Sequence, residues 1–162
     1  MPRVTAGLIR EILTYYPRTG KWIWKRPRST SIKSGSPAGA NSHGYIRIKI
    51  FSKQYAAHRL AYLYMLGRWP KSRIDHKNGN GLDNRWTNLR LATHSQNIAN
   101  AKMRCDNKHG CKGVSKEKGR YLAQICCNGK NHYLGRFSSP ELAHAAYQVA
   151  AKKLFGSFAR FR

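Results

Sequence analysis

The chain reads as an α+β protein in two parts, and three observations carry that prediction. Segments with an apolar–polar period of two, such as "GYIRIKI" and "NHYLGRF", alternate with segments of helical spacing, such as "HRLAYLYMLG". A polar, punctuated segment at 104–111, "RCDNKHGC", interrupts the pattern as a domain boundary does. Beyond it two strand candidates meet at Asn128-Gly129, a dipeptide that favours the mirror-image turn of a two-residue hairpin.

In chain order, Thr5 can cap a short helix whose Leu8, Ile9, Ile12 and Leu13 fall at helical spacing. Pro17 and Gly20 mark a turn, and "KWIWK" alternates as a strand. Residues 29–44, rich in Ser, Gly, Pro and Ala, read as a loop. In "GYIRIKI", Tyr45, Ile48 and their neighbours are taken to alternate with Arg47 and Lys49 as a half-buried strand; "SKQ" turns into a second strand over 55–57. The following helix places Leu60, Leu63, Tyr64 and Leu66 on one face and stops at Gly67. Residues 73–101 then run strand, polar loop (77–87), strand ("NLRLAT") and helix, the last capped by Thr93 or Ser95 and reaching about Met103. The C-terminal part offers three strands, "KGVSK", "RYLAQICC" and "NHYLGRF", joined at Lys118-Gly119 and Asn128-Gly129. Pro140 opens a helix with Leu142, Ala145, Ala146, Val149, Ala150 and Leu154 along one face. The expected domains are 1–104, with a motif core at 73–103, and 112–162, with a linker at 105–111.

Charge narrows the partner. Lys and Arg number 31 against 6 Asp and Glu, a formal net charge of +25, and no acidic residue occurs from Ile12 to Ile74. Such an excess repels itself in the compact state, and a polyanion relieves it. Nucleic acid is the expected partner, since neutralising phosphates releases condensed counterions. A membrane surface is not, because the cations are interleaved with Trp and Tyr rather than laid along one amphipathic helix. No segment approaches the roughly 18 apolar residues of a spanning helix, and the N-terminus carries no signal-peptide core. An intracellular protein is expected, with Cys105, Cys111, Cys126 and Cys127 reduced. No CxxC pair suggests zinc, and Cys126 and Cys127 would point to opposite faces of a strand. No obligate protein partner is evident.

The chemistry lies in "RIDHKNGNGLDNRWTNLRLATHSQNIANA", residues 73–101. Phosphodiester hydrolysis needs a water, a base to deprotonate it and a cation for the developing charge. His76 can be the base near neutral pH. Asp75 diverges from it on an extended strand, so one side chain can hold a metal while the other faces the water. Hard oxygen ligands suit Mg²⁺ or Mn²⁺, and the amide of Asn97, early in the next helix, can complete the set.

"IDHKNGN…LDNRWTNLRLATHSQN", with the preceding "HRLAYLYMLGRWP", resembles the HNH homing endonucleases, in particular the phage and intron-encoded branch with a terminal Asn. The resemblance covers most of residues 55–100. It implies a ββα-metal nuclease unit in which Asp75 binds the metal, His76 activates water, Asn88 braces the loop and Asn97 is the second metal ligand. Many relatives use His at the Asn97 position; an amide oxygen is a weaker ligand, which bears on metal preference. His94 matches no metal-binding position, and His58 is read as a packing residue at a helix start.

The segment 112–161, with its "KGV", "AQI", "YLGRF" and "KLFG", resembles the APETALA/ethylene-response-factor DNA-binding domain, also found fused to phage HNH nucleases. The resemblance implies a three-stranded sheet in the major groove, backed by the helix, and a groove admits such a β-ribbon. Candidates for DNA contact are Ser115, Lys116, Arg120, Gln124, Cys126, Lys130, His132 and Arg136, with Arg120, Gln124 and Cys126 the most consistent on alternation. Tyr121 and Tyr133 default to core aromatics. Plant members carry arginine near Ser115 and Cys126; this chain does not. Two functions follow: a metal-dependent endonuclease nicking double-stranded DNA, in a bacterial host if phage-encoded as the resemblance suggests, or a DNA-binding regulator with an inactive HNH fold.

Overall fold

A computed structural model of the protein describes residues 4–27, 31–103, 107 and 110–161. Thr5 accepts a hydrogen bond from the Leu8 amide and caps α1 (Ala6–Ile12), as its position suggests. The helix ends one residue earlier than its apolar spacing implies. Leu13 instead begins β1 (Leu13–Tyr16), which pairs antiparallel with β2 (Lys21–Trp24) across the Pro17–Gly20 turn. Helical spacing and strand alternation overlap there, and Tyr15 stacking on Trp22 at 4.7 Å fits the hairpin.

Inside the expected loop, β3 (Ala40–Ser42) adds to β4 (Tyr45–Ile50), which pairs with β5 (Lys53–Ala56). Phe51 and Ser52 carry the turn between β4 and β5 with φ of 47° and 64°. Tyr45 is not among the inward residues of β4. Ile48 and Ile50 are buried, whereas Tyr45, Arg47 and Lys49 share the exposed face, as a strict period of two requires. Next, α2 (Ala57–Leu66) buries Leu60, Ala61, Tyr62 and Leu63 and stops at Gly67, whose φ of 72° is open to glycine. Leu66, expected inside, is exposed. α2, α1 and the hairpin close one core around Ile9, Ile12, Leu13, Trp22, Ile48 and Leu60.

The motif region runs β6 (Arg73–His76), a loop ending in a short 3-10 turn (Trp86–Asn88), β7 (Leu89–Ala92) and α3 (His94–Asn100). Thr93 and Gln96 form a reciprocal capping box at the start of α3. The compact units divide between Leu91 and Ala92, so α3 groups with the second unit. Residues 105, 106, 108 and 109 of the expected linker, Cys105 among them, lie outside the described residues, as does Arg104.

In the second unit β8 (Val114–Glu117), β9 (Arg120–Cys127) and β10 (Lys130–Phe137) form an antiparallel sheet with β9 central. Both hairpin turns carry positive φ at two successive residues, 47° and 78° at Lys118-Gly119 and 51° and 76° at Asn128-Gly129. α4 (Pro140–Phe155), capped by Ser139, packs on this sheet through Ala143, Tyr147, Ala151 and Phe155. The expected stripe is largely outside: Leu142 is 54% exposed, Val149 72% and Leu154 41%. Two adjacent apolar stripes compete on this helix, and the one with Tyr147 and Phe155 buries more area. Lys112 Nζ donates to the carbonyls of Ala99 (2.7 Å) and Ala101 (2.8 Å), tying down the end of α3. Among the described residues, Cys111, Cys126 and Cys127 form no disulfide. Among the described residues, no helix is long and apolar enough to cross a membrane.

Candidate active site

β6 delivers Asp75 and His76 side by side, only 5% and 6% exposed. Neighbours on a strand project to opposite sides, and their partners differ accordingly. Asp75 Oδ2 receives Arg90 Nε from β7 at 2.8 Å, an ion pair with both side chains largely out of water. His76 Nε2 lies 3.2 Å from Asn84 Oδ1. Asn84 Nδ2 donates to the Leu82 carbonyl, so the Asn84 oxygen faces the ring and accepts from Nε2–H. The neutral ring then carries its basic lone pair on Nδ1. Burial pushes His76 below the ordinary histidine range; the Asn84 bond and the charges of Asp75 and Asp83 offset only part of that.

The loop above the pair is built from asparagines bonding backbone. Asn88, 7% exposed, accepts from the Asn78 amide at 3.0 Å and donates to Asn78 Oδ1 (3.0 Å) and the Asp83 carbonyl (2.7 Å). Asn78 and Asn80 each bond an amide two residues on. Asp83, held down to about 2 by its bonds to Arg85, also receives Asn78 Nδ2 at 2.8 Å. The Tyr15 hydroxyl donates to the Asn84 carbonyl at 2.6 Å, and the Trp86 amide to Pro17 at 2.9 Å, so the β1–β2 hairpin supports the loop.

An aromatic cluster flanks His76. The His58 ring at the start of α2 stands edge-to-face on His76 with centroids 5.1 Å apart, and Tyr45 lies 5.8 Å from His58 and 6.0 Å from His76. Burial, with His76, Arg59 and Arg47 nearby, pushes His58 down to about 3, so it stays neutral. Its Nδ1 is buried and finds no hydrogen-bond partner among the described residues.

Of the residues singled out from the sequence, Asp75, His76 and Asn88 come together here. Asn97 occupies the first turn of α3, partly exposed, in the second unit. Cross-strand register sorts the sheet candidates. Arg120, Gln124 and Arg136 lie on the open face with Ser115, Cys126 and Tyr133, while Lys116, Lys130 and His132 fall on the side facing α4, exposed at its margins. Tyr121 shares that inner side, with Lys116 Nζ 5.6 Å from its ring centroid; Tyr133, expected in the core, is 66% exposed. Arg136 pairs with Glu117 at 3.0 Å.

Sequence reasoning missed Asn84 and Arg90. Arg90 did leave a trace, as a cation between Leu89 and Leu91 in a short strand. Asn84 left none, standing among other loop asparagines. Among the described residues no three His, Cys, Asp or Glu side chains form a metal cage. The donor at hand is a buried carboxylate, and that fits Mg²⁺ or Mn²⁺, which one or two protein oxygens hold alongside water and phosphate.

Residues 55–99, which hold the buried Asp75–His76 pair of β6 and the asparagine-braced loop, match the family model described as HNH endonuclease. The chain is 36% identical over 104 residues to a protein of Acanthamoeba polyphaga mimivirus described as uncharacterized HNH endonuclease L560, covering 63% of this chain and 54% of that one. It is 37% identical over 93 residues to Protein 3.8 of Escherichia phage T7, covering 55% of this chain and 74% of that one. The chain carries an HNH endonuclease domain at residues 55–99, and it spans about half the length of the mimivirus relative.

Proposed function

We propose that the protein is a metal-dependent endonuclease of the homing type, hydrolysing a phosphodiester of double-stranded DNA and nicking one strand per site. One observation carries this reading: His76 is buried, neutral and held in a single tautomer by Asn84, beside a buried carboxylate on the same strand. That is the state a general base needs near neutral pH. His76 Nδ1 takes the proton of the attacking water. Asn88 keeps the loop rigid, so that the base and Asp75 hold their spacing.

Asp75 would hold Mg²⁺ or Mn²⁺, which when bound supplies charge stabilisation at the phosphoryl and leaving oxygens. Arg90 orients the Asp75 carboxylate and offsets its charge while it is buried. The C-terminal sheet is read as an APETALA/ethylene-response-factor-like duplex binder, joined to the nuclease domain through 105–111. Arg120, Gln124 and Arg136 on its open face are the candidates for groove contacts. Lys116, Lys130 and His132 are suited to phosphates at its edges.

Supercoiled plasmid incubated with Mg²⁺, Mn²⁺ or EDTA tests the proposal. Open circles in either metal and none in EDTA are expected, with sequencing locating the nick on one strand. Retained DNA binding without nicking in any divalent metal would instead make the chain a DNA-binding regulator.

A further inference from the structure

We propose that the open face of the β3–β4–β5 sheet is a track for the cleaved DNA strand beside the scissile phosphate, with Arg47 and Lys49 contacting neighbouring phosphates and Tyr45 joining the track to the catalytic histidine. The inference rests on the nuclease reading above and assigns that site a substrate surface.

Three observations converge. The first is register. Tyr45, Arg47 and Lys49 project from one side of β4 and are all exposed, while Ile48 and Ile50 on the other side are buried in the core. Their cross-strand neighbours on that face are Ser42 and Ala40 on β3 and Ala56 and Gln54 on β5. Across the sheet the two cations therefore face uncharged neighbours, and a nucleic-acid backbone can approach them. Same-face residues on a strand are about 7 Å apart, so two long cationic side chains can reach neighbouring phosphates of one strand.

The second is continuity with the reacting group. Tyr45 heads the row, and its ring lies 6.0 Å from that of His76 and 5.8 Å from that of His58. The motif loop is pressed against the same point: a Cβ on Gly81 would stand 2.6 Å from Tyr45 Cδ1 and also meet the Gly44 carbonyl. The sheet and the loop thus hold a fixed spacing. Arg47 is near enough to help keep His58 uncharged, which places this cation at the same end of the sheet.

The third is charge complementarity. From Ile12 to Ile74 the chain has no carboxylate at all, so no acidic side chain of that stretch competes with a phosphate for Arg47 or Lys49. A polyanionic strand is the occupant this face fits.

The test compares the parent protein, Arg47→Ala/Lys49→Ala and a control, Lys152→Ala/Lys153→Ala, which removes two exposed charges from α4. On a duplex carrying the mapped nick site, the β4 double variant should raise KM about tenfold or more and change kcat less than about threefold; the control should match the parent. Binding without turnover is measured in EDTA in the His76→Ala background. There the slope of log affinity against log salt should fall by about 2 for the β4 variant, roughly one unit per lost phosphate contact. Phosphate-ethylation interference should lose two positions flanking the nick on the cleaved strand. Parental slope and an unchanged interference pattern in the β4 variant would overturn the proposal, as would an equal loss in the control. If the parent never nicks, the nuclease reading fails while the slope still reports on the surface. Both side chains are exposed, so melting should be unchanged; if the double variant does not fold, each single variant should lower the slope by about 1.

Discussion

His76 sits under opposing influences. Burial favours its neutral form, and Asn84, Asp75 and Asp83 favour the cation; burial wins. As the proposed base, His76 acts when neutral, so activity should rise with pH through the folded-state pKa. The acidic limb of kcat/KM is therefore expected below the ordinary value of about 6.5. Asn84→Ala removes the bond that raises this pKa and fixes the tautomer. Its limb should move to still lower pH while the plateau falls about tenfold or more; a pH–rate profile reads both, and an unmoved limb would reduce Asn84 to a packing role. The Asp75–His76 pair stood out in the sequence because two ionisable residues adjoin in a chain poor in carboxylates, and both are buried on β6. Their partners Asn84 and Arg90 did not, since hydrogen bonds closed across a loop or between two strands leave no spacing signature.

The loop between β6 and β7 is the element on which the site depends. It is held by hydrogen bonds converging on Asn88, two of them to backbone and one to the Asn78 side chain. Removing three partly buried hydrogen bonds should be costly. Asn88→Ala is expected to lose roughly 2–4 kcal/mol in urea unfolding, beside which a loss within about 0.5 kcal/mol would show the bonds to be dispensable. At this scale the sequence was informative wherever turn chemistry was local: Thr5, Gly67, Pro140 and the two X-Gly hairpins all mark element ends in the structure. It misled where two periodicities overlapped. Leu13 continues a helical pattern yet starts a strand, and α4 presents the stripe of Tyr147 and Phe155 to the sheet instead of that of Leu142 and Val149. Tyr45 was placed on the wrong side of β4 because a tyrosine reads as apolar, whereas its position in the alternation puts it with Arg47 and Lys49.

Across the whole molecule the charge balance sets the behaviour. A net charge of +25 makes many phosphate contacts the expected mode of binding, so DNA affinity should fall steeply with salt. Charge alone, however, serves a regulator as well as an enzyme, and fold class does not separate them. The distinction rests on one imidazole. The most direct measurement compares parent and His76→Ala for nicking of supercoiled plasmid in Mg²⁺ and Mn²⁺ at matched DNA occupancy. Loss of nicking by about 10²–10⁴-fold, with DNA affinity within about threefold of the parent, is the predicted result. Nicking by His76→Ala at the parental rate would contradict it.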